Sequence, residues 1–267
     1  VSGTTFTLGS TLGAKNYLVE FHKAGLASAT ASNTEGSLNT TATSVNLVSG
    51  FAISTYTGTG SNTNYGHGLN SAPEWTITKL RVGSTQGNYA WHVGLGAGTK
   101  VIYPHLTNAI DTAATVWNST VPSATLNSLG TSVGVNTNTY TYVNWSWHSV
   151  DGFSKFGSYE GNGNADGAFV NTGFAQESMF VKNIDAVENW VAKLQVLDNT
   201  NENISRIFFE QTAAADTSTS SANMDMVSNG FKNRGTNAQS NSAATFIYGA
   251  WGGRAMTDGA INQGRAK

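Results

Sequence analysis

Apolar positions along this chain alternate with polar ones in short runs. They occur at Phe51–Tyr56, Trp75–Leu80, Tyr89–Val93, Lys100–Tyr103 and Thr139–Trp147. They recur at Phe153–Tyr159, Met179–Lys182, Asn189–Leu194, Ile204–Glu210 and Ala244–Trp251. Alternation puts every second side chain on one face of a strand. Gly and Asn clusters separate the runs, as tight turns require. No helix-length window carries a 3.6-residue apolar period, and the Ala/Thr-rich segments 106–116 and 211–221 predict a short helical turn at most. The pattern predicts an all-β protein of packed antiparallel sheets rather than an α/β fold.

The runs also repeat. Gly50-Phe-Ala-Ile-Ser-Thr-Tyr-Thr-Gly-Thr-Gly60 shares its frame with the stretch from Gly152 to Gly163: Phe51 with Phe153, Tyr56 with Tyr159, Gly58 with Gly161, Gly60 with Gly163. Glu74–Lys79 matches Glu177–Lys182, Trp91 matches Trp190, Lys100–Tyr103 matches Arg206–Phe209, and Thr141–Trp147 matches Thr245–Trp251. The last match extends to Asn16–His22, and Phe6 with its following turn resembles Gly230-Phe231. A repeat of this kind sets the architecture. It predicts two tandem antiparallel β-sandwich modules, jelly-roll-like, over 46–151 and 152–251. A linker or edge strand at 25–45 and the C-terminal hairpin of a preceding repeat at 1–24 come before them, and a tail at 252–267 follows. Either repeats precede residues 1–24, or the structural unit is phased differently from the sequence repeat. An isolated hairpin is marginal in water, so residues 1–24 are expected to pack on their own chain or on a neighbouring subunit.

Composition narrows the function. Hydrophobic residues make up 39% of the chain, enough for a core, but only 11% are charged, where about 25% is usual. Asn, Thr, Ser and Gly must therefore cover the surface. A net charge of -2 with scattered Lys and Arg gives no electrostatic case for nucleic acid or an anionic membrane. Without cysteine there is no disulfide framework and no thiolate metal site. No apolar run approaches the roughly 20 residues that span a bilayer, so membrane insertion is not expected. The first residue, Val1, suggests a processed or truncated product.

Candidate chemistry is sparse. His22, His67, His92, His105 and His148 show no zinc spacing and read as ordinary strand or surface histidines. Asp151, Glu160, Asp166, Glu177, Asp185 and Glu188 are the carboxylates available for a glycosidase pair. Glu74 and Glu177, which do correspond, read instead as solvated strand-end partners of the lysines that follow them. No nucleophile elbow is visible, and the Gly-x-Gly pairs read as turn punctuation rather than phosphate loops. No catalytic residue and no cofactor is expected. Asn162, Asn164 and Asp166 on a Gly-rich turn are weak candidates for calcium. Trp117, in a polar context, with Trp145 and Tyr65, is the candidate platform for stacking a sugar.

Several separated motifs carry a family resemblance. They are Phe6–Gly9, Asn33–Ser37, Gly50–Gly60, Gly66–Leu69 with Ala72-Pro73, Gly152–Tyr159, Asp166-Gly167, Gly173-Phe174 and Ser228–Lys232. Together they resemble a repeated β-rich module, described as a domain of unknown function, of tail-fibre-like virion proteins from tailed, especially marine, bacteriophages. The resemblance spans roughly residues 4–250; residues 252–267 depart from it. It implies a structural virion protein, extracellular or on the particle, in a fibre or appendage that contributes to host attachment. Its expected partners are itself, as a trimer or head-to-tail fibre, and other virion proteins. A carbohydrate-binding module for a host surface polysaccharide is the alternative, and a polysaccharide depolymerase the third reading.

Overall fold

A computed structural model describes residues 22, 23, 25, 31–198, 201–218 and 222–252. Most of the expected hairpin at 1–24, and all of the expected tail but its first residue, lie outside them. The alternating runs become two five-stranded antiparallel sheets. The first is built from β1 (Ala42–Asn46), β2 (Phe51–Thr57), β4 (Trp75–Val82), β5 (Asn88–His92) and β9 (Thr141–Trp147), in the order β1-β2-β9-β4-β5. Two short pairs accompany it, β3 (Thr63–Gly66) with β8 (Leu126–Leu129), and β6 (Lys100–Val101) with β7 (Asp111–Thr112). The second sheet holds β10 (Ser154–Glu160), β12 (Gln176–Asn183), β13 (Val191–Leu194), β14 (Ile207–Phe208) and β17 (Thr245–Gly252), in the order β10-β17-β12-β13-β14. A three-stranded sheet of β11 (Phe169–Asn171), β16 (Gly230–Asn233) and β15 (Met224–Val227) backs it. The fold is all-β and sandwich-like, with β1 as the edge strand expected within 25–45. The one α-helical turn among the described residues is Val133–Asn136, not the segments 106–116 or 211–221.

The two halves share one topology. A line across the first sheet reads Phe51, Trp147, Trp75, His92. The same line across the second reads Ser154, Trp251, Ser178, Leu194. This register confirms the pairing of Tyr56 with Tyr159, Glu74 with Glu177 and Trp147 with Trp251. Three sequence matches shift. Phe153 precedes its strand, and Ser154 takes the place of Phe51. Lys193, not Trp190, stands where Trp91 stands. Arg206 answers Val101 rather than Lys100, since Ala90 bridges Ile102 whereas Ala192 pairs Ile207. Matching by similarity aligns tryptophan with tryptophan, but hydrogen-bond register decides which face a residue occupies.

The Gly-x-Gly turns act as structural punctuation. Gly58 and Gly161 approach backbone so closely that an added Cβ would lie 2.2 Å from the Thr137 oxygen and 2.1 Å from the Ser242 oxygen. Gly60 and Gly163 adopt φ of 74° and 65°, a region open to glycine at little cost. A buried asparagine closes each turn. The Asn136 amide donates to the Ser61 and Gly130 carbonyls and its Oδ1 accepts from Thr59 N–H. Asn241 donates to the Asn164 and Gly235 carbonyls and accepts from Asn162 N–H.

Module 2 lays the outer face of its sheet against module 1. Trp75 meets Phe180 at 5.3 Å and Trp190 at 5.9 Å between ring centroids, and Trp147 meets Trp251 at 6.5 Å. Each such aromatic pair adds about 0.5–1.5 kcal/mol beyond its buried area. Polar groups then fix the register of the joint. The Trp190 indole donates to the Tyr103 and Leu106 carbonyls, both at 3.1 Å. The Lys182 ammonium donates to the carbonyls of Thr107, Asn183 and Ala186. Buried His92 accepts from Gly94 N–H at Nδ1, which leaves its proton on Nε2 to donate to the Tyr248 carbonyl at 3.1 Å. Glu74 accepts from the backbone and hydroxyl of Ser149, not from a lysine, because the chain crossing into module 2 passes over it. His22, the third member of the matched series, touches both of the others, with centroids 5.7 Å from Trp147 and 5.3 Å from Trp251.

Candidate binding cleft

Behind the first sheet, the side chains are unusually polar. Thr76, Thr78, Asn144 and Ser146 all point inward from β4 and β9 and are buried. They form a connected network: Asn144 donates to Thr78 at 2.9 Å, Ser146 donates to Asn144 at 2.7 Å, and the Asn127 amide donates to Ser146 and to the Tyr65 hydroxyl, each at 3.1 Å. Two groups are left over. Asn127 Oδ1 is buried without a partner, and the Tyr65 proton has no acceptor among the described residues. Each such orphan costs about 1–3 kcal/mol.

These groups line a small cleft between the main sheet and the β3–β8 pair. Its lining is Tyr65, Thr76, Trp91, Trp117, Thr120, Pro122, Asn127, Ser128, Leu129 and Asn144, and its interior has room for about one water molecule. Exposed Thr120 and half-buried Pro122 and Ser128 form the mouth. Trp91 and Trp117 have their indole N–H groups occupied, by the Ala97 and Lys100 carbonyls, so they offer the cleft apolar surface. No Asp, Glu, His, Lys or Arg lines it. Burial pushes the Tyr65 phenol well above its ordinary pKa, so it stays a hydroxyl donor across the physiological range.

The predicted platform does not exist as one surface. Trp117 is only 5% exposed and Tyr65 is fully buried, so neither offers a flat face to solvent; both line the cleft instead. Trp145 is half-buried on the opposite face of the sheet, in register with Ile53 and Ile77. Asn127, which completes the cleft, was not legible in the sequence, because a single Asn in Leu-Asn-Ser-Leu carries no signal of burial.

The calcium candidates are already engaged. Asp166 pairs with Lys232 at 2.5 Å and lies 3.9 Å from Arg234, and the hydrogen bond from Lys232 holds its carboxyl below the usual range. Asn162 and Asn164 turn their side-chain oxygens to the backbone N–H groups of residues 164 and 166. The carboxylate is thus neutralised and the amide oxygens face inward. Among the described residues no three His, Asp or Glu gather as a metal site would need. The histidines serve the backbone: His67 accepts from Leu69 N–H and His105 from Asn88 N–H.

A family model described as a domain of unknown function, DUF7483, matches residues 9–254; the chain belongs to that family. No curated protein and no solved structure matches it.

Proposed function

We propose that this chain is a non-catalytic structural protein of a tailed-phage virion, a component of a fibre or appendage that contributes to host attachment. The observation that carries this reading is the joint. Two copies of one fold are pressed together through Trp75, Phe180, Trp190 and Trp251, and locked by His92, Lys182 and Trp190. Such a joint makes a rigid spacer, and the repeat motifs resemble those of tail-fibre-like proteins. The chain is proposed to assemble with itself and with other virion proteins. Immunogold microscopy of purified phage particles tests this: label is expected on the tail or its appendages. Particles that carry no label, confirmed by mass spectrometry of the same preparation, reject the proposal.

One observation favours a second reading, a carbohydrate-binding module on the same chain. The module 1 cleft opens between exposed Thr120 and half-buried Pro122 and Ser128, with Trp117 in the same lining, a mixture of polar and apolar groups of the kind that sugar recognition uses. A glycan array distinguishes it, with saturable binding expected for a subset of neutral glycans.

A further inference from the structure

We infer that residues 256–263 of the C-terminal tail, which lie outside the described residues, strap the open edge of β11 in their own module 2, as Asn33–Thr40 strap β3 in module 1. The module 1 strap is closely fitted. Leu38 N–H donates to the Asn64 carbonyl at 2.9 Å, and Ser37 N–H donates to Asn64 Oδ1 at 2.8 Å. A Cβ on Gly36 would lie 2.5 Å from the Asn64 carbonyl oxygen, so the strap needs glycine there. Leu38 packs against the module 1 core, and Thr40 N–H closes the loop on the Asn33 carbonyl at 3.0 Å. Among the described residues, β11 has no such cover. Tyr65 pairs with Asn127 in β3–β8, and Val170 pairs with Phe231 in β11–β16. Asn127 precedes Tyr142 by as many residues as Phe231 precedes Phe246, so Phe169 takes the place of Asn64. Ala168 accepts from Asn233 on the β16 side, which turns the Phe169 backbone outward. Phe169 is 49% exposed, and no described residue hydrogen-bonds to that outward backbone.

The tail carries the sequence of the strap. Thr34-Glu-Gly-Ser-Leu-Asn39 and Thr257-Asp-Gly-Ala-Ile-Asn262 agree at Thr, Gly and Asn, and pair Glu with Asp, Ser with Ala and Leu with Ile. Where they differ in polarity, the edge differs with them: Ser37 bonds to Asn64 in module 1, and Ala260 meets Phe169 in module 2. The chain also arrives at the right end of β11. In module 1 the strap runs antiparallel to β3. It enters at Gly66, where an added Cβ would lie 2.1 Å from Asn33 Oδ1, and its Ser37 reaches Thr63 at 2.8 Å. In module 2 the matching entry is Asn171, at the end of β11. β17 ends at Gly252, where an added Cβ would lie 3.1 Å from Phe174 Cδ2, just past Asn171. Residues 253–255, at up to about 3.6 Å each, span the remaining interval. The strap covers Phe169 with Ile261 and closes an edge that would otherwise recruit other strands.

The test is amide hydrogen exchange on the full chain, followed by NMR. The Ile261 N–H, which donates to the Phe169 carbonyl, should exchange at least about tenfold more slowly than in a free peptide of the same tail sequence. Gly259→Val should return it to the free rate while the amides of β10 and β17 keep their protection. A cross-link checks the register. The chain has no cysteine, so Phe169→Cys with Ile261→Cys supplies the only thiols. Facing residues of such a pair lie about 5.5 Å apart between Cα atoms, within reach of a disulfide, and mild oxidation should give a monomer with one internal bridge. An Ile261 amide that exchanges at the free rate overturns the inference. Protection that survives Gly259→Val, or a double variant that forms no bridge, places the tail on another surface and overturns it too. Bridged dimers without bridged monomer mean that the tail straps a second copy, and overturn the assignment to its own module.

Discussion

The two modules have one topology and opposite interiors. Under β9 lie Asn127, Asn144, Ser146, Thr76 and Thr78, joined by hydrogen bonds. Under β17 lie Phe231, Phe246, Tyr248, Ala250, Met179 and Val181. The backbone tolerates either filling, so the fold does not demand the polar one. A buried amide network is costly when incomplete, and this one is incomplete at Asn127. The difference puts a hydrogen-bonded polar layer under β9 and an apolar one under β17.

Truncation sharpens that contrast most. Phe231→Ala should cost about 3–5 kcal/mol, as deletion of a buried ring leaves a cavity. Asn127→Ala should cost about 1–3 kcal/mol, chiefly from unpaired Tyr65 and Ser146. Denaturant titration reads both, and equal losses would break the comparison.

Acid is the next lever, and it acts on the joint. Burial pushes the His92 pKa down to about 3, while in the unfolded chain it returns to about 6.5. The unfolded state therefore binds the proton first, and stability should fall as pH drops through 6.5 toward 3, by at most about 1.4 kcal/mol per pH unit. Replacing His92 with leucine, as module 2 does at Leu194, should flatten that slope in denaturation curves recorded between pH 7 and 5.

Packing at the joint comes third. A Cβ on Gly94 would lie 2.7 Å from Ile247 Cγ2 and 3.1 Å from Ser158 Cβ. Gly94→Val should cost about 1–3 kcal/mol through overpacking, seen as a lower melting temperature. An unchanged melting temperature would mean that the modules are free to part.

Buried lysines give a smaller pH effect of the same sign, in the alkaline range. Burial lowers both Lys182 and Lys193 to about 8, below the unfolded value near 10.4. Stability should rise as pH climbs from about 8, until tyrosines of the unfolded chain begin to ionise near pH 10. Lys182→Met and Lys193→Met should each remove part of that rise. The smallest effect expected is that of calcium: with Asp166 held by Lys232, millimolar calcium should leave the melting temperature unchanged.

The sheets were legible because their runs alternate and repeat. Trp75–Val82 and Thr245–Gly252 fall where the pattern places them. The small sheets were not. Thr63-Asn-Tyr-Gly66 and Leu126-Asn-Ser-Leu129 are short and largely polar, and their pairing is decided by what they cover rather than by propensity. The same blindness hid the cleft. Trp117 was singled out as an aromatic in polar surroundings, with Tyr65 named beside it, and both proved to line a polar interior. Trp145 has a glycine counterpart in module 2, Gly249, where Phe180 would lie 2.4 Å from an added Cβ. Lys193 was invisible as a core residue, since an ammonium tied to the Asn203 and Ile204 carbonyls leaves no trace in a hydropathy pattern.

The glycine at the joint has one more consequence. Gly94 belongs to the turn Val93–Leu95, and the matching turn of module 2, Gln195–Leu197, carries Val196 at that position, 69% exposed. A filament growing by repetition of this joint would have to press Val196 where only a hydrogen atom fits. Repeating the joint on module 2 would therefore carry a steric cost that the joint on module 1 does not.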